Sequence, residues 1–275
     1  MTQINLNDIS KTIVLVGAGK MGAALLQGWL AGGLDPSRVT VLEPQPSGEI
    51  TDLRARGIAL NPAKNPADAG AIVIAVKPQT ADTVVPPLAA TTGGSTIAVS
   101  IMAGKTLGFL ERALPNIAVV RAMPNTPAAI GRGITVAVPN ARVNDAQRNL
   151  AHRLLAATGK VEWINDETLM DAVTAVSGSG PAYVFLLAES LGRAGVAAGL
   201  PPELAAKLAR ETVAGAGELL YRSPLDPATL RQNVTSPGGT TAAALDVLMA
   251  AADGLDPLLA IAIAAATKRS RDLAG

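Results

Sequence analysis

The sequence predicts an α/β fold in its first half, a doubly wound parallel sheet, followed by an all-α unit. Three observations carry this. Between Lys11 and Ile164, short β-branched runs alternate with amphipathic stretches. Two of the runs, Ile13-Val14-Leu15-Val16 and Ala71-Ile72-Val73-Ile74, are apolar throughout, as a sheet covered on both faces requires. After Glu167 the β-branched residues thin out, and Ala, Leu and Gly dominate. A chain of 275 residues, at about 150 per domain, fits one large domain or two modest ones. The expected division is 11–164 and 165–275.

In chain order, strands are expected at 12–16, 39–42, 71–76, 96–100, 118–122, 135–139 and 160–164. Helices at 22–31, 79–90, 106–113 and 145–157 lie between several of them, and such alternation implies parallel pairing. In the second half, periodic apolar positions predict helices at 181–198, 202–220, 239–251 and 257–273, separated by proline-containing breaks. Small residues there allow close helix packing but leave little bulk for a private core, so an oligomeric interface is expected.

Composition excludes several function classes. Hydrophobic residues make up 49% and charged residues 16%, against about 25% charged in an average domain, so extended disorder is excluded. The net charge of +1 gives no footprint for nucleic acid or an anionic membrane. Aromatic residues, at 2%, are too sparse for base-stacking platforms. The absence of cysteine excludes disulfides, thiolate catalysis and cysteine-ligated metals, and no metal site is expected. The one histidine, His152, falls on a polar-faced helix beside Arg148 and Arg153 and reads as a surface residue. The start Met1-Thr2-Gln3-Ile4 has neither the basic nor the apolar region of a signal peptide. The longest apolar run, nine residues from Leu258 to Ala266, is short of the roughly 18 of a membrane span. A cytoplasmic location with no membrane association is expected.

Gly17-Ala18-Gly19-Lys20-Met21-Gly22 is a complete G-x-G-x-x-G between an apolar strand and a helix. Its glycines serve a tight turn, close approach of a pyrophosphate to the backbone, and helix–strand packing. Glu43 ends the second strand, 21 residues after the last glycine, where a carboxylate accepts from the adenine ribose. A carboxylate there repels a 2′-phosphate, so Glu43 leans towards NADH over NADPH.

Three further segments follow expected strands: Ala75-Val76-Lys77-Pro78, Ser100-Ile101-Met102-Ala103-Gly104 and Arg121-Ala122-Met123-Pro124-Asn125-Thr126-Pro127. Carboxyl ends of such strands line the ligand crevice, which suggests a nicotinamide pocket. Lys77 is read either as catalytic or as a solvated strand-end lysine. Ser177-Gly178-Ser179-Gly180-Pro181 is an anion-binding nest or a plain hinge. Asn233-Val234-Thr235-Ser236-Pro237-Gly238-Gly239-Thr240-Thr241 reads as a small-carboxylate site, with a simple N-cap at Ser236 or Thr240 as the alternative.

In this order GAGKMG, AVKP, SIMAG, RAMPNTP, SGSGPAYVF and VTSPGGTTAAAL resemble the motifs of the pyrroline-5-carboxylate reductases over almost the whole chain. The resemblance implies a Rossmann-type domain followed by an all-α dimerisation domain whose helices interleave with a partner's. It implies a homo-oligomer built on a dimer, and a substrate site between the cofactor domain and the helical domain. Its substrate would be a small cyclic imino acid. It implies that Gly17, Ala18, Gly19, Lys20, Met21 and Gly22 contact a pyrophosphate, and that Asn65, Ala75, Val76, Lys77, Pro78, Ala103 and Asn233 contact the cofactor. Glu167, Ser236, Gly239, Thr240 and Thr241 resemble the positions around the substrate, with Thr241 as the catalytic contact to the ring nitrogen. The family prior is NADPH. Glu43 departs from the small polar residue common there, and Met249 departs at a peripheral position.

The implied reaction suits this composition. A protonated cyclic imine is already electrophilic at carbon, so its reduction needs no histidine acid, whereas reduction of a ketone creates an alkoxide that does need an acid. Two alternatives stand beside this reading. A β-hydroxyacid dehydrogenase would need a lysine on the first helix of the second domain, yet 181–198 has none and Lys207 is the next. A non-catalytic dinucleotide-sensing protein would leave the SPGGTT turn without a purpose.

Overall fold

The structure, a computed structural model, describes residues 4–274. Eight strands and eleven helices follow the chain among these residues: β1 Ile13–Val16, α1 Lys20–Ala31, β2 Val39–Leu42, α2 Gly48–Asp52, β3 Ala59–Leu60, β4 Ala71–Ile74, α3 Ala81–Val84, β5 Ile97–Ser100, α4 Leu107–Ala113, β6 Ala118–Met123, β7 Gly133–Pro139, α5 Asp145–Ala156, β8 Gly159–Trp163, α6 Met170–Val173, α7 Gly180–Ala197, α8 Pro202–Arg222, α9 Pro227–Asn233, α10 Thr240–Leu248 and α11 Leu255–Ala274.

One sheet holds all eight strands in the order β3-β2-β1-β4-β5-β6-β7-β8. Alternation along β1 sends Ile13 and Leu15 to one core layer and Val14 and Val16 to the other. The first layer is capped by α1, whose fully buried Trp29 donates from its indole nitrogen to the Leu154 carbonyl of α5 at 2.8 Å. The second is closed by Val85, Leu88, Leu110 and Leu114. Apolar strands with two covered faces are the arrangement the sequence predicted.

The sheet departs from full parallelism. β7 runs antiparallel to β6, and β8 then runs parallel to β7. The cause is chain length. Only residues 124–132 join β6 to β7, nine in all, and a parallel crossover takes a dozen or more. The helix expected at 79–90 is also broken, into a 3₁₀ turn, α3 and a second 3₁₀ turn. Pro86 and Pro87 lack the N–H groups an α-helix needs there.

By packing, the chain forms two units, one reaching Gly178 and including the residues from Thr267 onward, the other Ser179–Ala266. The sheet ends at Trp163, beside the boundary expected near 165. Residues 165–178 nevertheless pack with the sheet, because Met170 is buried and Asp171 accepts from the Ser270 hydroxyl at 2.7 Å. The second unit is thin. α7 packs on α8, where a Cβ on Gly195 would lie 3.2 Å from Ala205 Cβ. Within it the buried apolar side chains are Ala205 and Ala209, while Phe185, Leu186, Leu187, Val247 and Ile261 are each more than half exposed.

Among the described residues, no helix is long and apolar enough to cross a membrane, and no group of three acidic, histidine or cysteine side chains is placed to hold a metal ion. His152 is partly buried. Its Nδ1 accepts from the Trp163 indole at 3.2 Å, and Arg148 covers the same ring.

Candidate functional site

Parallel register brings the expected loops to one edge. Val16 stands beside Leu42 and Ile74, Ile74 beside Ser100, and Ser100 beside Arg121. The segments that follow these strands therefore emerge together at the carboxyl edge of the sheet. The strand order reverses between β1 and β4, and a crevice at that place is where open α/β sheets bind ligands.

Each glycine of the first loop has its own reason. Gly17 is left-handed, with φ +91°, and a Cβ there would sit 2.7 Å from the Ala75 carbonyl oxygen. A Cβ on Gly22 would sit 2.2 Å from the Gly17 oxygen. Gly19 differs: its backbone is ordinary, φ −66° and ψ −171°, and a Cβ would meet nothing within 4 Å. Gly19 is the N-cap of α1, and the first intrahelical bond runs from Ala23 N–H to the Gly19 carbonyl. The N–H groups of Lys20, Met21 and Gly22 thus have no partner within the helix. Amides at a helix N-terminus, next to backbone facing open space, suit a phosphate.

Glu43 lies against this turn. Its Oε2 accepts from the Ala18 N–H at 2.8 Å and its Oε1 from the Gln45 N–H at 3.0 Å. Its backbone is held by Asn61, whose Oδ1 accepts from Glu43 N–H at 2.9 Å and whose Nδ2 donates to Glu43 O at 2.8 Å. Sequence reading missed Asn61. The available signal was an asparagine ending a short apolar pair, since asparagine tolerates the left-handed backbone found there, φ +47°.

The Ala75 N–H donates to the Val16 carbonyl at 2.7 Å, which ties the AVKP loop to the end of β1. Ala75, Val76 and Pro78 are partly buried, Lys77 is exposed, and Ala103 is exposed beside the left-handed Gly104. Asn65 is exposed in the loop from β3 to β4. Glu167 is anchored. Its Oε1 accepts from Arg121 Nη1 at 2.7 Å and from the Leu107 N–H, at the start of α4, at 2.8 Å. Arg121 is 5% exposed, and sequence reading gave it no role.

The helical unit has its own turn. Gly239 is the N-cap of α10, so neither Ser236 nor Thr240 is, and no side chain caps that helix. Gly238 is left-handed, Gly239 N–H donates to the Ser236 carbonyl at 3.0 Å, and a Cβ on Gly239 would meet Ser236 Oγ at 2.4 Å. Thr240 and Thr241 open the helix behind this turn, and Asn233 ends α9 before it. The nest expected at 177–180 does not form. Residues 174–178 are a π-helical turn and Ser179 is right-handed helical, so the segment runs into α7 as helix and lacks the alternating handedness a nest requires.

Residues 167–273 match the family model described as pyrroline-5-carboxylate reductase dimerisation, and 12–104 match one described as NADP oxidoreductase coenzyme F420-dependent. The pyrroline-5-carboxylate reductase of Pseudomonas aeruginosa is 40% identical over 265 residues, 95% of this chain and 96% of that protein. The chain belongs to the pyrroline-5-carboxylate reductase family. The Synechocystis enzyme of that name is 39% identical, covering 94% of this chain and 97% of that one. The solved structure of the Coxiella burnetii reductase superposes with a TM-score of 0.87 at 33% identity over 96% of this chain and 98% of that one. The Plasmodium falciparum reductase, solved with NADP bound, gives 0.78 at 28% identity over 97% and 99%. This chain is thus an NAD(P)-dependent oxidoreductase acting on pyrroline-5-carboxylate in proline biosynthesis. Membership sets aside the dehydrogenase and sensor alternatives.

Proposed function

We propose that this reductase uses NADH in preference to NADPH, with the dinucleotide on the Gly17–Gly22 turn and the imine ring held by the Ser236–Thr241 turn. The observation that carries the cofactor reading is the Glu43 carboxylate fixed against the Ala18 N–H beside the open face of Gly19. The residues present fit such a cofactor, because the only glycine of the turn whose Cβ would meet no protein atom is the one a pyrophosphate must approach.

When bound, the reduced nicotinamide supplies a hydride. Lys20, Met21 and Gly22 offer their backbone amides to the pyrophosphate, while Gly17, Ala18 and Gly19 border it, the Gly17 N–H being taken by the Leu42 carbonyl and the Ala18 N–H by Glu43. Glu43 accepts from the adenine ribose and repels a 2′-phosphate. Asn65, Ala75, Val76, Lys77, Pro78, Ala103 and Asn233 border the rest of the cofactor. Ser236, Gly239 and Thr240 hold the substrate carboxylate through amides and hydroxyls, and Thr241 is the catalytic contact that hydrogen-bonds the ring nitrogen. Glu167 borders the substrate as well, its Oε1 already fixed by Arg121. Because a protonated imine is already electrophilic at carbon, these residues need supply no proton, and their holding of cofactor and ring in line would account for most of the acceleration. In the same reading, a second copy covers the exposed apolar side chains of α7, α10 and α11 to make a dimer. A cytoplasmic location, where reduced dinucleotides are held, belongs to it too.

The test is the rate of NADH and NADPH oxidation with pyrroline-5-carboxylate. A higher kcat/KM for NADH supports the reading, and a clear preference for NADPH defeats it. Thr241→Ala should lower kcat/KM while dinucleotide affinity stays close to wild type. An unchanged kcat/KM removes that role.

A further inference from the structure

We propose that Asn61 is a specificity-determining positioning residue: its side-chain amide locks the backbone of Glu43 and so aims the carboxylate that discriminates between dinucleotides. This rests on the NADH reading above.

β3 is an edge strand of two residues, and its ladder with β2 closes with the Asn61 N–H donating to the Val41 carbonyl at 2.9 Å. The backbone then turns left-handed at Asn61 and leaves the sheet. Beyond that point the outer backbone groups of Glu43 have no strand to pair with. The amide of Asn61 replaces it: Oδ1 accepts from Glu43 N–H at 2.9 Å and Nδ2 donates to Glu43 O at 2.8 Å. One planar side chain thus presents the donor and acceptor of a peptide group side by side, and asparagine also tolerates the turn. Aspartate would set two acceptors there. A hydroxyl would reach one partner, and glycine would keep the backbone and lose both bonds.

The consequence reaches the phosphate turn. With its backbone pinned, Glu43 spans the N–H groups of Ala18 and Gln45 with separate oxygens. A carboxylate has about four acceptor positions, so two remain for ribose hydroxyls. Without the Asn61 clamp the carboxylate loses its fixed aim. Recognition of the ribose and rejection of a 2′-phosphate weaken together.

The experiment is steady-state kinetics with pyrroline-5-carboxylate and each reduced cofactor on wild type, Asn61→Gly and Asn61→Ser, with a thermal scan of each. Both variants should raise KM for NADH by about tenfold, equivalent to about 1.4 kcal/mol. kcat should change far less, and the NADH:NADPH ratio of kcat/KM should fall about fivefold or more. A general loss of structure would instead lower kcat for both cofactors and leave the ratio in place. If the ratio in Asn61→Gly and Asn61→Ser equals that of wild type, the proposal is overturned. The NADH reading fails separately, on the wild-type ratio itself, because the positioning role is read from the change between variants.

Discussion

Replacing Gly19 with alanine should separate folding from dinucleotide binding. The backbone at Gly19 is one that alanine adopts without strain, and the new methyl would meet no protein atom within 4 Å. At such a position alanine reduces the freedom of the unfolded chain, worth about 0.4–1 kcal/mol, but alanine is a poorer N-cap than glycine by a comparable amount. For a chain of this size Tm should therefore stay within roughly 2 °C of wild type. The methyl does, however, occupy the space a pyrophosphate must enter. Losing one charge-assisted hydrogen bond costs about 1.5–3 kcal/mol, or roughly 10- to 150-fold in Kd. The assay is titration of NADH by calorimetry or fluorescence, alongside a thermal scan. Gly22→Ala is the contrast: its Cβ would lie 2.2 Å from the Gly17 oxygen, so Tm and affinity should fall together. A Gly19→Ala protein with retained Tm and an NADH Kd within about twofold of wild type would falsify the placement of the phosphate.

Arg121→Met should destabilise the protein by roughly 2 kcal/mol in urea, because it strands a partly buried Glu167 carboxylate, and Glu167→Gln should destabilise it too, because it leaves the more deeply buried Arg121 without its counter-charge. A urea midpoint unchanged in both would remove the anchoring role. Leu186→Glu with Leu187→Glu, on an exposed apolar stretch of α7, should shift light scattering from dimer to monomer at micromolar concentration; an unchanged mass would place the interface elsewhere. Asp226 caps α9, and its carboxyl is held below the usual aspartate range, first by the Thr229 hydroxyl and then by the Thr229 N–H. A lowered pKa means that its contribution is complete above the ordinary range and fades as pH falls through the lowered value. Asp226→Asn should therefore flatten the acid limb of stability against pH, and an identical limb in both proteins would exclude it.

The interior of the fold was legible because burial leaves a direct mark. Ile13–Val16 and Ala71–Ile74 are apolar on both faces since both faces are covered. Strand direction leaves no such mark: Thr135–Pro139 reads the same either way, and only the nine-residue connection before β7 reveals the reversal. The tight turn after β1 was legible because Gly17 and Gly22 answer steric demands of the backbone, while Gly19 faces open space. Asn61 and Arg121 were not, since each acts through a partner distant in sequence, 18 residues away at Glu43 and 46 at Glu167. The SGSGP segment misled because small residues before a proline suit a nest as well as a helix. Here Gly178 admits Met123, whose Cε would lie 2.7 Å from an added Cβ, and the chain continues as helix.

The most direct test of the central claim is the initial rate of cofactor oxidation at 340 nm with pyrroline-5-carboxylate, run in parallel with NADH and NADPH on wild type and Glu43→Ser. Wild type should turn over with the higher kcat/KM for NADH, and Glu43→Ser should move that ratio towards NADPH. A wild-type preference for NADPH that Glu43→Ser leaves unchanged would contradict the account.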